Sequence, residues 1–534
     1  MFYLRLSDTY GMTNYVSPKK NIAAEEFRKH EYLHKVDLSK ALDIGMYAFC
    51  ECTSLSEVIL PNNLKILRKG TFANCYSLKS ITLPETLEII EEGCFSGCGL
   101  QSITIPKGTT LQPSVFQRCH SLRKVNWTTN YVPSRTFFSC ESLEEFNFEN
   151  VTTIGNDAFS RSGLTKVDLP KIQRLGDETF EGCSELLVVN INKSLMKNND
   201  EQLMKKNISS IPNGCFRNCV KLTKINLPDS INHIGTQAFN SCKSLKNIRL
   251  PNFIKLIERE TFEYCTSLEN IVIPNDVTRI GYRAFRFCKS LRNVIMSNVE
   301  TIGYGAFENC ISLKNINESI DENTVVLPTS LKFLDFSAFM YSGIENIVIN
   351  PAKSMMIQRM TFQDCRQLKT VHLSSNVRII DSCAFSGCIS LEKVHCENEN
   401  VYEDNEPLRG FRQVGNEETT MDNDDTTDDD TIDESSLQFI DVYAWRDYIS
   451  EYGYGGLITI GTKAFAGCKQ LKHFEFPRTL RNIQQGAFQD CLSLEIGVSK
   501  NVITLDEELT DERIEDGWED CKIAFINRKA LYCR

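Results

Sequence analysis

The chain has 534 residues, 41% hydrophobic, 24% charged and 10% aromatic, which is the composition of ordinary globular proteins and not of disordered, collagen-like or membrane-spanning ones. Its 70 acidic against 59 basic side chains give a net charge of −11, which argues against a phosphate-binding surface built from concentrated Lys and Arg, so nucleic acid is not an expected partner. No stretch approaches about 18 uncharged apolar residues, and the opening Met1-Phe2-Tyr3-Leu4-Arg5-Leu6 lacks a basic segment followed by an apolar one, so neither a membrane span nor a secretory signal is expected.

Residues 1–23 read as an N-terminal cap segment. From residue 24 the chain repeats itself, in the pattern Phe-x-x-Cys-x-x-Leu-x-x-Ile-x-Leu-Pro, with a further Ile five residues before the next Phe. The anchors are Phe27, Phe49, Phe72, Phe95, Phe116, Phe137, Phe159, Phe180, Phe216, Phe239, Phe262, Phe285, Phe307, Phe339, Phe362, Phe385, Phe465 and Phe488. Most steps are 21 to 23 residues; the exceptions, 36, 32 and 80, identify insertions, because the pattern resumes in phase after each.

In the unit Leu78-x-x-Ile81-x-Leu83-Pro84 the Ile and the second Leu are two apart and share one face of a short strand, which the proline ends. Ile90 and Phe95 return the chain to the same apolar interior, and Cys98 fills the corner before Leu100. One such unit buries too little to fold alone. Stacked units bury each other's open faces and pair their strand edges, so the chain is one array and not a series of globules.

The unit Leu222-Thr223-Lys224-Ile225-Asn226-Leu227-Pro228, followed by Ile234-Gly235-Thr236-Gln237-Ala238-Phe239-Asn240-Ser241-Cys242-Lys243-Ser244-Leu245, resembles the BspA-like, Treponema-type class of leucine-rich repeats almost position for position. The resemblance covers roughly 24–395 and 457–494. It implies an α/β-type repeat solenoid: a leucine-rich repeat arc with one long parallel β-sheet on the concave face and short turns or helical turns on the convex side. Members of that class include bacterial and protist surface proteins that adhere to host proteins or other cells, many with signal peptides or membrane anchors.

The array is expected over 24–395, with polar insertions near 194–207 and 317–326. An acidic insertion, 396–436, follows. Between Glu417 and Glu434 it holds ten carboxylates and no basic residue, and self-repulsion of such a run favours disorder. The array continues over 437–494, broken by an aromatic insertion at 443–456 in which Tyr443, Trp445, Tyr448, Tyr452 and Tyr454 crowd together. These aromatics are read either as a local cover over the sheet or as an exposed contact patch. Residues 495–534 read as a degenerate repeat and cap.

Sixteen of the 22 cysteines fall three residues after an aromatic anchor, from Cys52 to Cys491 in the repeats and at Cys521 after Trp518. Periodicity reads them as buried thiols acting as small hydrophobes. With no Cys-x-x-Cys pair, zinc or redox chemistry is not expected, and so many unpaired thiols suit a reducing compartment. Seven scattered histidines offer little catalytic material. His372 and His395 occupy the same outward position of adjacent strands, read as a solvated pair or as two metal ligands with no carboxylate converging on them. No phosphate loop, nucleophile elbow or His-Glu-x-x-His sequence is present, so neither enzyme nor cofactor is expected.

If the Ile and Leu of each strand face inward, the residues beside the Ile face outward. Before it stand Asn247, Asn270, Asn293, Asn315 and Asn346, predicting a continuous amide ladder; after it stand Val272, Ile295 and Val348, an aliphatic stripe interrupted by Asn317. Such residues also simply favour strands, but together they make a reasonable docking strip. The expected function is therefore a non-catalytic protein–protein interaction scaffold in the cytoplasm, binding through these residues and through Tyr443, Trp445, Tyr448 and Tyr452. The alternative is a surface adhesin exported without a classical signal.

Overall fold

A computed structural model describes residues 13–191, 208–317, 323–397 and 456–494, with single gaps at 19, 478 and 481. Each unit is one three-sided coil. On the first side, strands of two to four residues alternate exposed and buried positions, as in Ser102–Thr104 and Lys124–Asn126, and neighbouring coils pair parallel in register, Ile103 with Val125. The period-2 pattern of the sequence therefore points the Ile and Leu inward as expected.

The second side carries another parallel ladder that the sequence pattern did not announce. Its strands are mostly two residues long, such as Ile66–Leu67, Ile89–Ile90 and Thr110–Leu111, and contain the second Ile position of each unit. The expected single long sheet is also divided: first-side strands join in groups of three, two, three and eight. One lapse falls where Phe146 and Phe148 replace the inward aliphatics. These rings pack edge-on and tilted against Phe137 and Phe159 at 4.9–5.4 Å, a bulk that Ile and Leu do not bring to the core.

The third side corrects the expectation of helical turns: among the described residues there is no helix. The residues two before and two after every anchor, from Glu25 and Lys29 around Phe27 to Gly486 and Asp490 around Phe488, have φ between 50° and 74°. A left-handed residue at every fourth position prevents a right-handed helix from propagating. The backbone turns its N–H groups along the stack instead. Glu25, Phe27 and Lys29 donate to the carbonyls of Met46, Ala48 and Cys50 in the next coil at 3.0, 2.8 and 2.8 Å, and the intervening Glu26 and Arg28 close four-residue turns within their own coil by donating to Ala23 and Glu25. A third set of intercoil hydrogen bonds thus exists with neither strand nor helix geometry.

Inside, the anchors form one stack. All consecutive pairs from Phe27 to Phe488 are stacked within 23° of parallel with centroids 5.1–5.7 Å apart, including Phe180–Phe216, Phe307–Phe339 and Phe385–Phe465, which bridge the three long steps. Offset parallel rings at this spacing are a favourable aromatic geometry. The corner cysteine adds a polar link. In fifteen coils, from Cys52 to Cys491, its thiol donates to the carbonyl of the anchor one coil earlier, as Cys52 does to Phe27, at 3.0–3.3 Å.

Part of the expected insertion at 317–326 is itself structural. Thr324–Val326 forms a strand that enters the first-side ladder between Asn315–Ile316 and Asn346–Ile349. The second side and the anchor stack gain no rung there, since Thr301–Ile302 pairs directly with Phe333–Leu334. The insertion at 194–207 and the acidic run at 417–434 lie outside the described residues.

Candidate functional site: the outer face of the first-side strands

The register places Asn247 opposite Asn270, Asn270 opposite Asn293 and Asn293 opposite Asn315. The last three are hydrogen-bonded in series: the Asn293 amide donates to Asn270 Oδ1 at 2.6 Å and Asn315 to Asn293 Oδ1 at 2.7 Å. Asn346 does not continue the series. The inserted strand puts Thr324 in that position, and Asn346 instead accepts from Thr370 Oγ1 at 2.7 Å. The predicted five-residue ladder is therefore four residues and a separate fifth.

Beside the amides, Val272 and Ile295 face each other across adjacent strands and are 58% and 38% exposed. Val348 is half-buried and lies opposite Val326, the last residue of the expected polar insertion. Asn317 separates the two aliphatic pairs. It adopts a left-handed φ of 59°, accepts from the Met296 N–H at 2.8 Å and donates to the Val326 carbonyl at 3.0 Å, joining the old and inserted strands.

A second amide series was missed. Asn190 donates to Asp168 Oδ1 and Asn226 to Asn190 Oδ1, both at 2.6 Å, with Lys166 paired to Asp168 at 2.5 Å. Asp168, Asn190 and Asn226 occupy the position after the inward Val or Ile, whereas the first series occupies the position before it; comparing both positions over all units would have found them.

His372 and His395 sit opposite one another with rings 4.4 Å apart and 13° from parallel. A carboxylate does converge on the pair: Glu475 Oε1 lies 2.9 Å from His395 Nδ1. Partial burial first, and the neighbouring His395 second, hold the His372 pKa below the ordinary histidine value. Among the described residues no group of three or more His, Cys, Asp or Glu is arranged to hold a metal ion.

The ladder thiols are buried. Loss of solvation pushes Cys52 and Cys365 up to about 12 and Cys183 to about 11, leaving them protonated and poorly nucleophilic at neutral pH. Tyr443, Trp445, Tyr448 and Tyr452 lie outside the described residues. No helix among the described residues is long and apolar enough to cross a membrane.

A family model described as BspA type leucine rich repeat region matches residues 9–123, 109–211, 209–324, 317–406 and 454–510. Among solved structures the chain is similar to a leucine-rich repeat protein from Bacteroides ovatus, with 24% identity, 71% of this chain and 86% of that one covered, and a TM-score of 0.44. It is also similar to a leucine rich cell surface protein from Faecalibacterium prausnitzii, with 24% identity, coverage of 58% and 88%, and a TM-score of 0.39. A leucine-rich repeat protein from Eubacterium ventriosum matches at 20% identity, coverage of 64% and 78%, and a TM-score of 0.35. No curated protein matches the chain.

Proposed function

This chain belongs to the BspA-type leucine-rich repeat family, and from that premise we propose that it is a non-catalytic protein–protein interaction scaffold whose first-side strands receive the partner. The observation that carries the reading is the exposed Val272–Ile295 pair lying beside hydrogen-bonded Asn270, Asn293 and Asn315. The aliphatic side chains offer area to bury, and the amides, tied to one another, offer donors and acceptors that lose little freedom on binding. A protein partner suits this mixed, neutral strip better than a polyanion does. We assign the protein to the cytoplasm, on the reduced thiols that line every described corner where a cysteine stands.

The test compares partners cross-linked in the native cell by the wild type and by the double variant Asn293→Arg, Ile295→Arg. Two arginines on that strip should remove the partner, whereas the same two substitutions at exposed Lys65 and Glu88 on the second side should not; undiminished recovery by the first variant would discard the surface. Cell fractionation tests the location, and protease sensitivity on intact cells would contradict it.

A further inference from the structure

On the turn side of the coils anchored by Phe262, Phe285 and Phe307 lies a cluster that the strand-face reading does not use. Tyr282 and Tyr304 stack with centroids 5.2 Å apart, and Tyr264 and Phe287 stack at 4.8 Å. The Arg283 guanidinium lies over both tyrosines of the first pair, 4.7 Å from Tyr282 and 5.6 Å from Tyr304.

The neighbouring arginines are matched. Arg259 Nε donates to Glu260 at 3.0 Å; Arg286 donates to Glu308 at 2.9 and 3.2 Å and to Glu263 at 3.5 Å. Those three carboxylates are buried, and each has a further commitment, Glu260 to Gln237 at 2.5 Å, Glu263 to Asn240 at 3.1 Å and Glu308 to Asn309 at 3.3 Å. Arg283 makes no hydrogen bond or ion pair with a carboxylate among the described residues; its charge reaches Glu263, which Arg286 already engages, only from farther off, and its Nε–H is buried without an acceptor. A guanidinium is charged at all working pH values, and half-burying one with no carboxylate hydrogen-bonded to it is costly. Aromatic rings hold its plane, but they do not satisfy its N–H groups.

We propose that this cluster is a second interaction surface, separate from the strand face, that binds an acidic peptide segment of a partner protein. A carboxylate pairs with Arg283, and the residues flanking it pack against the Tyr264–Phe287 pair. Charge selects the partner: the acids of this patch lie beneath the surface, and the unmatched group on it is a cation. Tyr and Arg grouped in this way are the residue types that anchor protein interfaces.

Fluorescence anisotropy of the full chain with a fluorescein-labelled peptide of alternating glutamate and tyrosine tests this, with the lysine–tyrosine counterpart as the charge control. Arg283→Asn removes the guanidinium while suiting the left-handed φ of 50° at that position. Arg283→Lys keeps the charge but not the planar fork, and decides the matter should the Asn variant fail to fold. Because residues 417–434 of the same chain carry ten carboxylates, a protein with that run changed to Asn and Gln is measured in parallel. The acidic peptide should bind, about tenfold more weakly to Arg283→Asn, several-fold more weakly to Arg283→Lys, and unchanged to a control Arg123→Asn. Equal affinity in the Arg283 variants, an equal loss in the control, or no binding to the neutralised protein up to about 1 mM peptide would overturn the proposal.

Discussion

Replacing Phe262 by Ala removes one ring from the middle of the anchor stack. Phe262 is fully buried, and its ring meets Phe239 at 5.5 Å and Phe285 at 5.4 Å, each within 6° of parallel. The backbone around it stays fixed by groups the substitution does not touch: its N–H donates to the Ala284 carbonyl at 2.8 Å, and its carbonyl accepts the Cys288 thiol at 3.1 Å. The coils cannot close over the void, so the cost belongs at the full value for a buried phenylalanine, about 4 kcal/mol. The two lost ring contacts supply about 1–3 kcal/mol of that. Urea unfolding followed by far-ultraviolet circular dichroism measures it. Because each coil contacts only its neighbours, the weakened coil is also where the array uncouples, so the transition should broaden or split. Phe27→Ala is the comparison: one neighbour is the parallel Phe49 at 5.2 Å and the other the tilted Tyr15 at 4.6 Å, at the start of the stack, so it should cost less and leave the transition single. A loss below about 1 kcal/mol for Phe262→Ala would refute the reasoning, because no buried ring in a rigid frame is that dispensable.

Gly163, where the corner is one residue shorter than in Cys75-Tyr76-Ser77-Leu78, has no room for a side chain: a Cβ there would overlap the Glu141 carbonyl oxygen of the preceding coil. Gly163→Ala should cost about 3 kcal/mol, read by the shift in urea midpoint. The raised thiol pKa values make the folded chain hold protons that the unfolded chain releases, so stability is intact below about pH 9 and falls as the pH rises toward the folded values of about 11 to 12; midpoints unchanged between pH 8 and 11 would contradict the buried ladder. His372, held low, binds its proton less readily folded than unfolded, so its contribution is present above the ordinary histidine pKa and is lost as pH falls below it. Its nuclear magnetic resonance titration midpoint should lie below about 6.5 and rise in His395→Gln.

What the sequence made legible was whatever recurs with a fixed residue type at a fixed interval: the Phe stack, the corner thiols, the inward Ile and Leu, and the adjacency of His372 with His395. The turn side was hidden because the left-handed positions carry no common residue; Glu25, Tyr47, Gly70, Ser114, Asp157, Arg283 and Met360 all adopt the same φ sign. Intercoil hydrogen bonding selects that backbone, and side-chain preference does not. Thr324–Val326 was hidden by its polar, acidic surroundings, yet its Val325 is buried like any inward strand residue. That one strand also shifted Asn346 out of the amide series. Glu475 escaped notice because it stands 80 residues from His395 in the chain, while the stack brings their strands side by side. The anionic surroundings of Arg286 and the unmatched state of Arg283 depend on distances no spacing rule supplies.

The most direct test of a single continuous stack is to insert a site-specific protease sequence at Asp425, inside the 80-residue step, cleave, and measure the products by size-exclusion chromatography without denaturant. Phe385 and Phe465 stack at 5.1 Å and Lys393–Cys396 pairs with His473–Phe474, so the two pieces should elute together at the mass of the uncut chain and separate only in urea. Pieces that part at once in plain buffer would mean that the coils on either side of the step do not share one core.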